Sequence, residues 1–209
     1  VDVLKMLLNF EVKCYICDNI FKKDMWKELN IFFENRRYCE DWFPISKYIV
    51  ESKRIVFVNQ PIYNYRQHPE SAIHTSNIKV IRDYNYAVRN IVSYIQESNV
   101  QYISSDMNTF KLLTLSETIH EFYKLNVLNG VIIYEDFYKE KFNFWDYSMI
   151  RILFENNLSI KNKLSILFWR MRVYHIVWPI FNKIKIPIIN FSVFIYYLIY
   201  NFLNFCFLR

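Results

Sequence analysis

Apolar positions recur at helical spacing from the first residues, with Val3, Leu4, Leu7 and Leu8 on one face. Residues 13–21, Lys-Cys-Tyr-Ile-Cys-Asp-Asn-Ile-Phe, predict a short strand, and a helical turn follows near residues 22–29. Residues 36–41 are loop-like. Pro44 then stands where a first helical turn tolerates proline, and Ile45, Tyr48 and Ile49 give one apolar face as far as Ser52. The run Arg-Ile-Val-Phe-Val-Asn-Gln-Pro-Ile-Tyr-Asn-Tyr-Arg over residues 54–66 predicts two β segments meeting at residues 59–61.

From Ser76 the period changes. Val80, Ile81, Tyr84, Ala87, Val88, Ile91, Val92 and Ile95 form an i, i+3, i+4 stripe. Arg82, Asp83, Arg89, Asn90, Gln96 and Glu97 fall opposite it, where a solvated face is expected. Ser105 and Asp106 can cap a second helix carrying Leu112, Leu115, Ile119 and Phe122, and Asn129 with Gly130 supplies a stop. Core packing accounts for both helices. Near the end, residues 186–208 run 23 positions without a formal charge, between Lys183, Lys185 and Arg209. That length can cross a hydrocarbon layer of roughly 30 Å. Asn190, Asn201, Asn204, three Tyr and Pro187 raise the cost of insertion. The stretch before it mixes Phe168, Trp169, Tyr174 and Trp178 with Lys161, Lys163, Arg170, Arg172 and Lys183, a combination suited to headgroup depth. Attachment at the interface or a single span is the expectation, with a buried helical hairpin as the alternative.

Composition narrows the chemistry. With 53% hydrophobic and 22% charged residues in 209, the chain can build one domain with a sizeable core. A single glycine, Gly130, excludes the Gly-rich phosphate loops of P-loop and dinucleotide-binding proteins, and it excludes a serine nucleophile elbow. Four cysteines at 14, 17, 39 and 206 are too few for a disulfide scaffold and suit a reducing compartment. Charge is uneven. The net of +6 divides into −1 over residues 1–150 and +7 over residues 151–209, where Glu155 is the one acidic residue. A basic, aromatic segment beside an uncharged one points to an anionic membrane surface, and its cations are too diluted among Ile, Leu and Phe for nucleic acid.

The strongest local constellation is Tyr38-Cys39-Glu40-Asp41-Trp42-Phe43, ahead of a helix. Two carboxylates at a helix start lie near its positive end, a field that keeps an aspartate ionised and able to act as a base. Asp41 could equally serve as a plain cap. Cys14 and Cys17 form a CxxC with no second ligand pair at zinc spacing, which fits reduced thiols in a strand. Glu135 and Asp136 repeat the acidic pair without a comparable sequel and fit a solvated turn, while His120 and His175 fit structural positions.

The ordered series Asp18-Asn19-Ile20-Phe21-Lys22-Lys23, Phe32-Phe33-Glu34, Glu40-Asp41-Trp42-Phe43, Pro61-Ile62-Tyr63-Asn64-Tyr65-Arg66-Gln67-His68 and Ser71 resembles the second half of bacterial family 2 glycosyltransferases, enzymes of surface-polysaccharide synthesis such as capsule and O-antigen. The resemblance covers roughly residues 1–75. It implies an α/β fold, the C-terminal half of a GT-A catalytic domain, followed by a mainly α-helical region (76–150) and a membrane-associated helical tail (151–209). It implies Asp41 as the catalytic base of an inverting transfer and Glu40 as its acidic neighbour at the acceptor. Arg66 and Tyr65 would serve the substrate, with Arg66 facing the diphosphate, and His68 would help to hold a divalent metal, Mg or Mn. The partners implied are a nucleotide-sugar donor, a lipid-linked or glycan acceptor and the membrane, at the cytoplasmic face of the cell.

The family's Asp-x-Asp metal motif has no counterpart among these residues, and Asn19 stands where the family usually has lysine. The chain also starts directly in a helical pattern. The expectation is therefore a glycosyltransferase piece whose nucleotide-binding half is missing and which is inactive in isolation. The alternative is a non-catalytic remnant that binds membrane or partner proteins through its helical C-terminus.

Overall fold

A computed structural model of the chain describes residues 2–35, 37–61, 63, 64, 66, 77–98, 100, 101, 104–128, 149–171 and 177. Two units divide it, Val1–Leu167 and Phe168–Arg209. In the second unit the described residues are 168–171 and 177.

In the first unit, α1 (Val3–Leu8) starts at Asp2, whose carboxylate accepts from the Leu4 and Lys5 amides at 3.0 and 3.3 Å. It buries Leu4, Leu7 and Leu8, the face its spacing predicts. A 3₁₀ turn covers Ile16–Asp18 and α2 covers Lys23–Glu28. The next helix, α3 (Trp42–Glu51), carries Pro44 in its first turn and buries Ile45 and Tyr48. Beyond it, α4 (Ile78–Glu97) is capped by Asn77, whose side chain accepts from the Val80 amide, and it buries Ile81, Ala87, Val88, Ile91, Val92 and Ile95. Then α5 (Ser104–Leu128) buries Leu112, Leu115, Ile119 and Phe122. Two more helices, α6 (Met149–Phe154) and α7 (Ile160–Arg170), complete the described set.

The core lies where α4 packs against α3 and α5, with α1 against α3 and α5. Polar pairs set the registers inside it. The Thr118 hydroxyl donates to Asn85 Oδ1 at 3.0 Å, both buried, tying α5 to α4. Asn9 donates to Asp106 at 3.2 Å, tying α1 to α5. Asp106 accepts this bond from within the first turn of α5.

The near absence of glycine shows in the backbone. Both α1 and α2 end with a left-handed residue, Phe10 and Asn30. After α1, the Glu11 amide reaches the Met6 carbonyl and the Phe10 amide the Leu7 carbonyl. After α2, Ile31 reaches Trp26 and Asn30 reaches Lys27. These are Schellman closures, for which glycine is the usual choice. Asparagine tolerates the conformation; Phe10 is held there by edge contacts to Trp42 and Phe110, 6.0 and 5.6 Å between ring centres.

The expected α/β fold is not what forms. Among the described residues there is no strand and no sheet, and the structure is mainly helical. Two regions carry the correction. Residues 13–21 break at the 3₁₀ turn, where Asn19 bonds back to the Tyr15 carbonyl at 2.6 Å and Ile16 and Ile20 stay exposed. Residues 54–61 form neither helix nor strand, and Val56, Phe57 and Val58 are 66%, 58% and 62% exposed. Strand propensity becomes a strand only when a neighbouring chain accepts the backbone hydrogen bonds, and no described segment does so here.

No described helix is long and apolar enough to cross a membrane. The uncharged run 186–208, the stop at Asn129 and Gly130, and the acidic turn at Glu135 and Asp136 lie outside the described residues.

Candidate functional site

The turn bearing Glu40 and Asp41 is built by what surrounds it. Cys39 takes a left-handed conformation, φ 56°, and its carbonyl accepts from the Trp42 amide at 3.2 Å. This folds the chain sharply into α3. Trp42 then anchors the helix start by edge packing on Tyr84 of α4, 5.1 Å between centres, and on Phe10. A second aromatic group, Phe21, Trp26, Phe33 and Tyr48, joins the 20–33 segment to α3. Lys47 on α3 donates to the Leu29 carbonyl at 2.8 Å, at the negative end of α2.

Asp41 is half-buried at the cap position of α3, yet its side chain makes no capping bond. Its carboxylate instead accepts from the Ile16 amide at 3.4 Å. Burial pushes the Asp41 carboxyl above the ordinary carboxylate range, and the neighbouring Glu40 charge adds to this while the Ile16 amide opposes it. The direction is opposite to the one the helix field predicts, because desolvation outweighs it. Glu40 is exposed.

Beside this turn is a cleft of about 80 Å³, lined by Glu34, Arg37, Glu40, Lys47, Asp83 and Tyr86 among others. Its volume suits a few waters and falls well short of what a nucleotide sugar fills. Arg37 lies over the Tyr86 ring at 3.8 Å and pairs with Glu34 and with Asp83, the latter at 3.1 Å. Tyr86 in turn donates to Glu34 at 2.9 Å.

Asp83 departs from its expected solvated face, being 5% exposed. Its carboxylate accepts from Arg37, from the Tyr38 backbone amide at 3.0 Å and from Lys79. Burial raises the Asp83 carboxyl, but the Lys79 ammonium, the Tyr38 amide and the Arg37 charge together overcome it and hold it below the ordinary range. A signal for this was present. Asp83 is four and eight residues before Ala87 and Ile91, so it lies along the edge of the buried stripe, one turn after Lys79.

The other expected site residues fare differently. Arg66 is exposed, as is Tyr63, and Tyr65 and His68 lie outside the described residues. The turn therefore unites Glu40 with Asp41, and no described contact joins Arg66 to them. Cys14 is buried beside Ser46, 3.4 Å from its hydroxyl, and burial pushes its thiol up to about 11. Cys39 is pushed up to about 12, by burial first and then by the Asp41 and Glu40 charges. Neither has the depressed value of a reactive thiol. Among the described residues no three His, Cys, Asp or Glu side chains stand together to hold a metal ion. Set against known protein families, curated proteins and solved structures, the chain matches none.

Proposed function

We propose that this chain supplies the acceptor side of an inverting glycosyl transfer, from a nucleotide-sugar donor to a membrane-linked glycan, with Asp41 as the base. The observation that carries the reading is Asp41 itself. It stands at the start of α3 with its carboxylate free of capping duty, half-buried, and burial raises its carboxyl above the ordinary range, the direction that strengthens a base. The motif order over residues 18–71 supports the same assignment.

The chemistry balances simply. Asp41 takes the proton from the acceptor hydroxyl as its oxygen bonds to the anomeric carbon. The bond from that carbon to the donor phosphate breaks, and the nucleoside diphosphate leaves with the electron pair. Charge grows on that leaving group, and Arg66, exposed and assigned to the diphosphate by the resemblance, would meet it with a paired guanidinium fork. Glu40, exposed beside the base, can bond to the acceptor's other hydroxyls. A Mg or Mn ion would neutralise further diphosphate charge when bound, but the described residues do not form a ligand set for it. The +7 charge and aromatic content of residues 151–209 support attachment at the cytoplasmic face of the membrane, beside lipid-linked acceptors.

The test is transfer of labelled sugar in membranes from cells carrying the chain in its native coding context. Asp41→Asn lowers transfer by about 10² to 10⁴, the range for a lost general base, while the circular dichroism spectrum stays unchanged. Unaltered transfer in that variant refutes the base assignment.

A further inference from the structure

We infer that Asp83, on α4, is a positioning residue for the Glu40–Asp41 turn, a latch that holds the preceding loop against the helix so that Asp41 keeps its place. As an account of catalysis this rests on the proposed transfer; as an account of the loop it does not.

The geometry is specific. Residues 34, 35 and 37–41 form no helix or strand of their own, so contacts from other elements help to set their path. Asp83 grips that path at two consecutive residues. It takes the Tyr38 backbone amide at 3.0 Å and the Arg37 guanidinium at 3.1 Å. Lys79, one turn earlier on α4, bonds to Oδ2, the oxygen that also takes the Tyr38 amide, and lies over the Tyr38 ring at 4.9 Å. Arg37 is fixed in turn by the Tyr86 ring and Glu34. The grip therefore ends one residue before Cys39, whose left-handed backbone aims Glu40 and Asp41. A left-handed non-glycine residue persists only where its surroundings over-determine it. Here those surroundings are the Asp83 contacts on one side and Trp42 packed on Tyr84 on the other. Both belong to α4, so one helix holds both ends of the turn. In the cleft beside it, Asp83 and Arg37 are already committed to each other.

Cys39 is the reporter. In the closed turn its thiol is pushed up by burial and by the neighbouring carboxylates, so it alkylates slowly. The experiment measures alkylation by N-ethylmaleimide in the full chain, read by mass spectrometry at Cys39 and, as an internal control, at Cys14. Asp83→Ala removes its bonds to Tyr38, Arg37 and Lys79, and the Cys39 rate rises by about tenfold or more as local opening becomes frequent. Asp83→Asn keeps an acceptor for the Tyr38 amide and loses the charge pairs, so its rate falls between the two; it also decides the matter if Asp83→Ala does not fold. Unchanged Cys39 rates overturn the latch, and so does an equal rise at Cys14, which would mean general loosening.

The same variants enter the transfer assay. Displacement of a base by about 1 Å costs on the order of 10²-fold in rate, so Asp83→Ala lowers kcat with little change in KM for the donor, and Asp83→Asn restores part of it. Faster Cys39 labelling together with normal transfer in Asp41→Asn keeps the latch and refutes the base. Unchanged labelling with transfer lost in Asp41→Asn does the reverse.

Discussion

Residues 54–61 and helix α4 belong to one unit and are both rich in β-branched and aromatic side chains, yet they meet solvent in opposite ways. On α4, Val88, Ile91, Val92 and Ile95 are at most 1% exposed; at Val56, Phe57 and Val58 more than half of each residue is in water. The difference lies in where the backbone finds its hydrogen bonds. A helix satisfies its own amides and carbonyls within four residues, so an amphipathic stretch can form and then dock. A strand has to borrow that satisfaction from a neighbour. Side-chain character alone does not decide which segment becomes core.

Substitutions on the two sides test this contrast. The largest effect belongs to the packed side: Ile91→Ala should cost about 3 kcal/mol by chemical denaturation, as buried aliphatic truncations do, while Phe57→Ala stays within about 0.5 kcal/mol. Comparable losses from both would mean that the 54–61 run is buried in solution. Proline separates backbone from side chain. At the exposed Arg89 on α4 it should cost about 3 kcal/mol by removing a helical hydrogen bond, and at Val58 close to nothing. A large loss at Val58 would reveal a ladder contact at that amide.

Smaller effects probe the turn. The Tyr84 hydroxyl is buried with no hydrogen-bond partner among the described residues, and the phenol is pushed well above its usual range by burial. Tyr84→Phe should therefore raise stability by about 1 kcal/mol while keeping the ring against Trp42. A loss would mean that the hydroxyl has a partner, such as a buried water. Cys39→Gly should add about 0.5 kcal/mol, since relief of the left-handed backbone slightly exceeds the entropy that glycine brings to the unfolded chain. A fall in thermal midpoint would contradict it.

The pH dependence of Asp83 is the finest of these tests. Its carboxyl lies below the ordinary range in the folded chain, so the folded state binds that proton less readily than the unfolded state does. The stabilisation is complete above the ordinary aspartate value of about 3.9 and is lost as pH falls through the lower folded value. The stability gap between the wild type and Asp83→Asn should accordingly narrow below about pH 4. A gap that stays constant into acid would assign the stabilisation to shape instead of charge.

The helical half of the molecule was legible because its signal is local. The 3.6-residue stripes of α4 and α5, the apolar face of α1 and the proline-tolerant first turn of α3 all lie within single elements. The strand at 13–21 misled for a nearby reason, since Asn19 can bond back to the Tyr15 carbonyl and close a turn that competes with any ladder. Glu40 and Asp41 were visible as an adjacent pair at a helix start. The direction of the Asp41 shift was not visible, because it depends on the burial supplied by the packed chain around it.

Asp83 marks the boundary between the two kinds of information. By sequence, a charged residue on a helix beside Arg82 belongs to the solvated face. By structure, it lies at the margin of the buried stripe, where a loop more than forty residues earlier supplies an amide and a guanidinium to meet it. Periodicity and capping, which act over a few residues, made α1, α3, α4 and α5, their apolar faces and the acidic pair readable from the chain alone. Tertiary structure alone decided which polar groups were taken out of water and which β-prone run was left in it, because desolvation and ladder pairing depend on partners that sequence distance does not show.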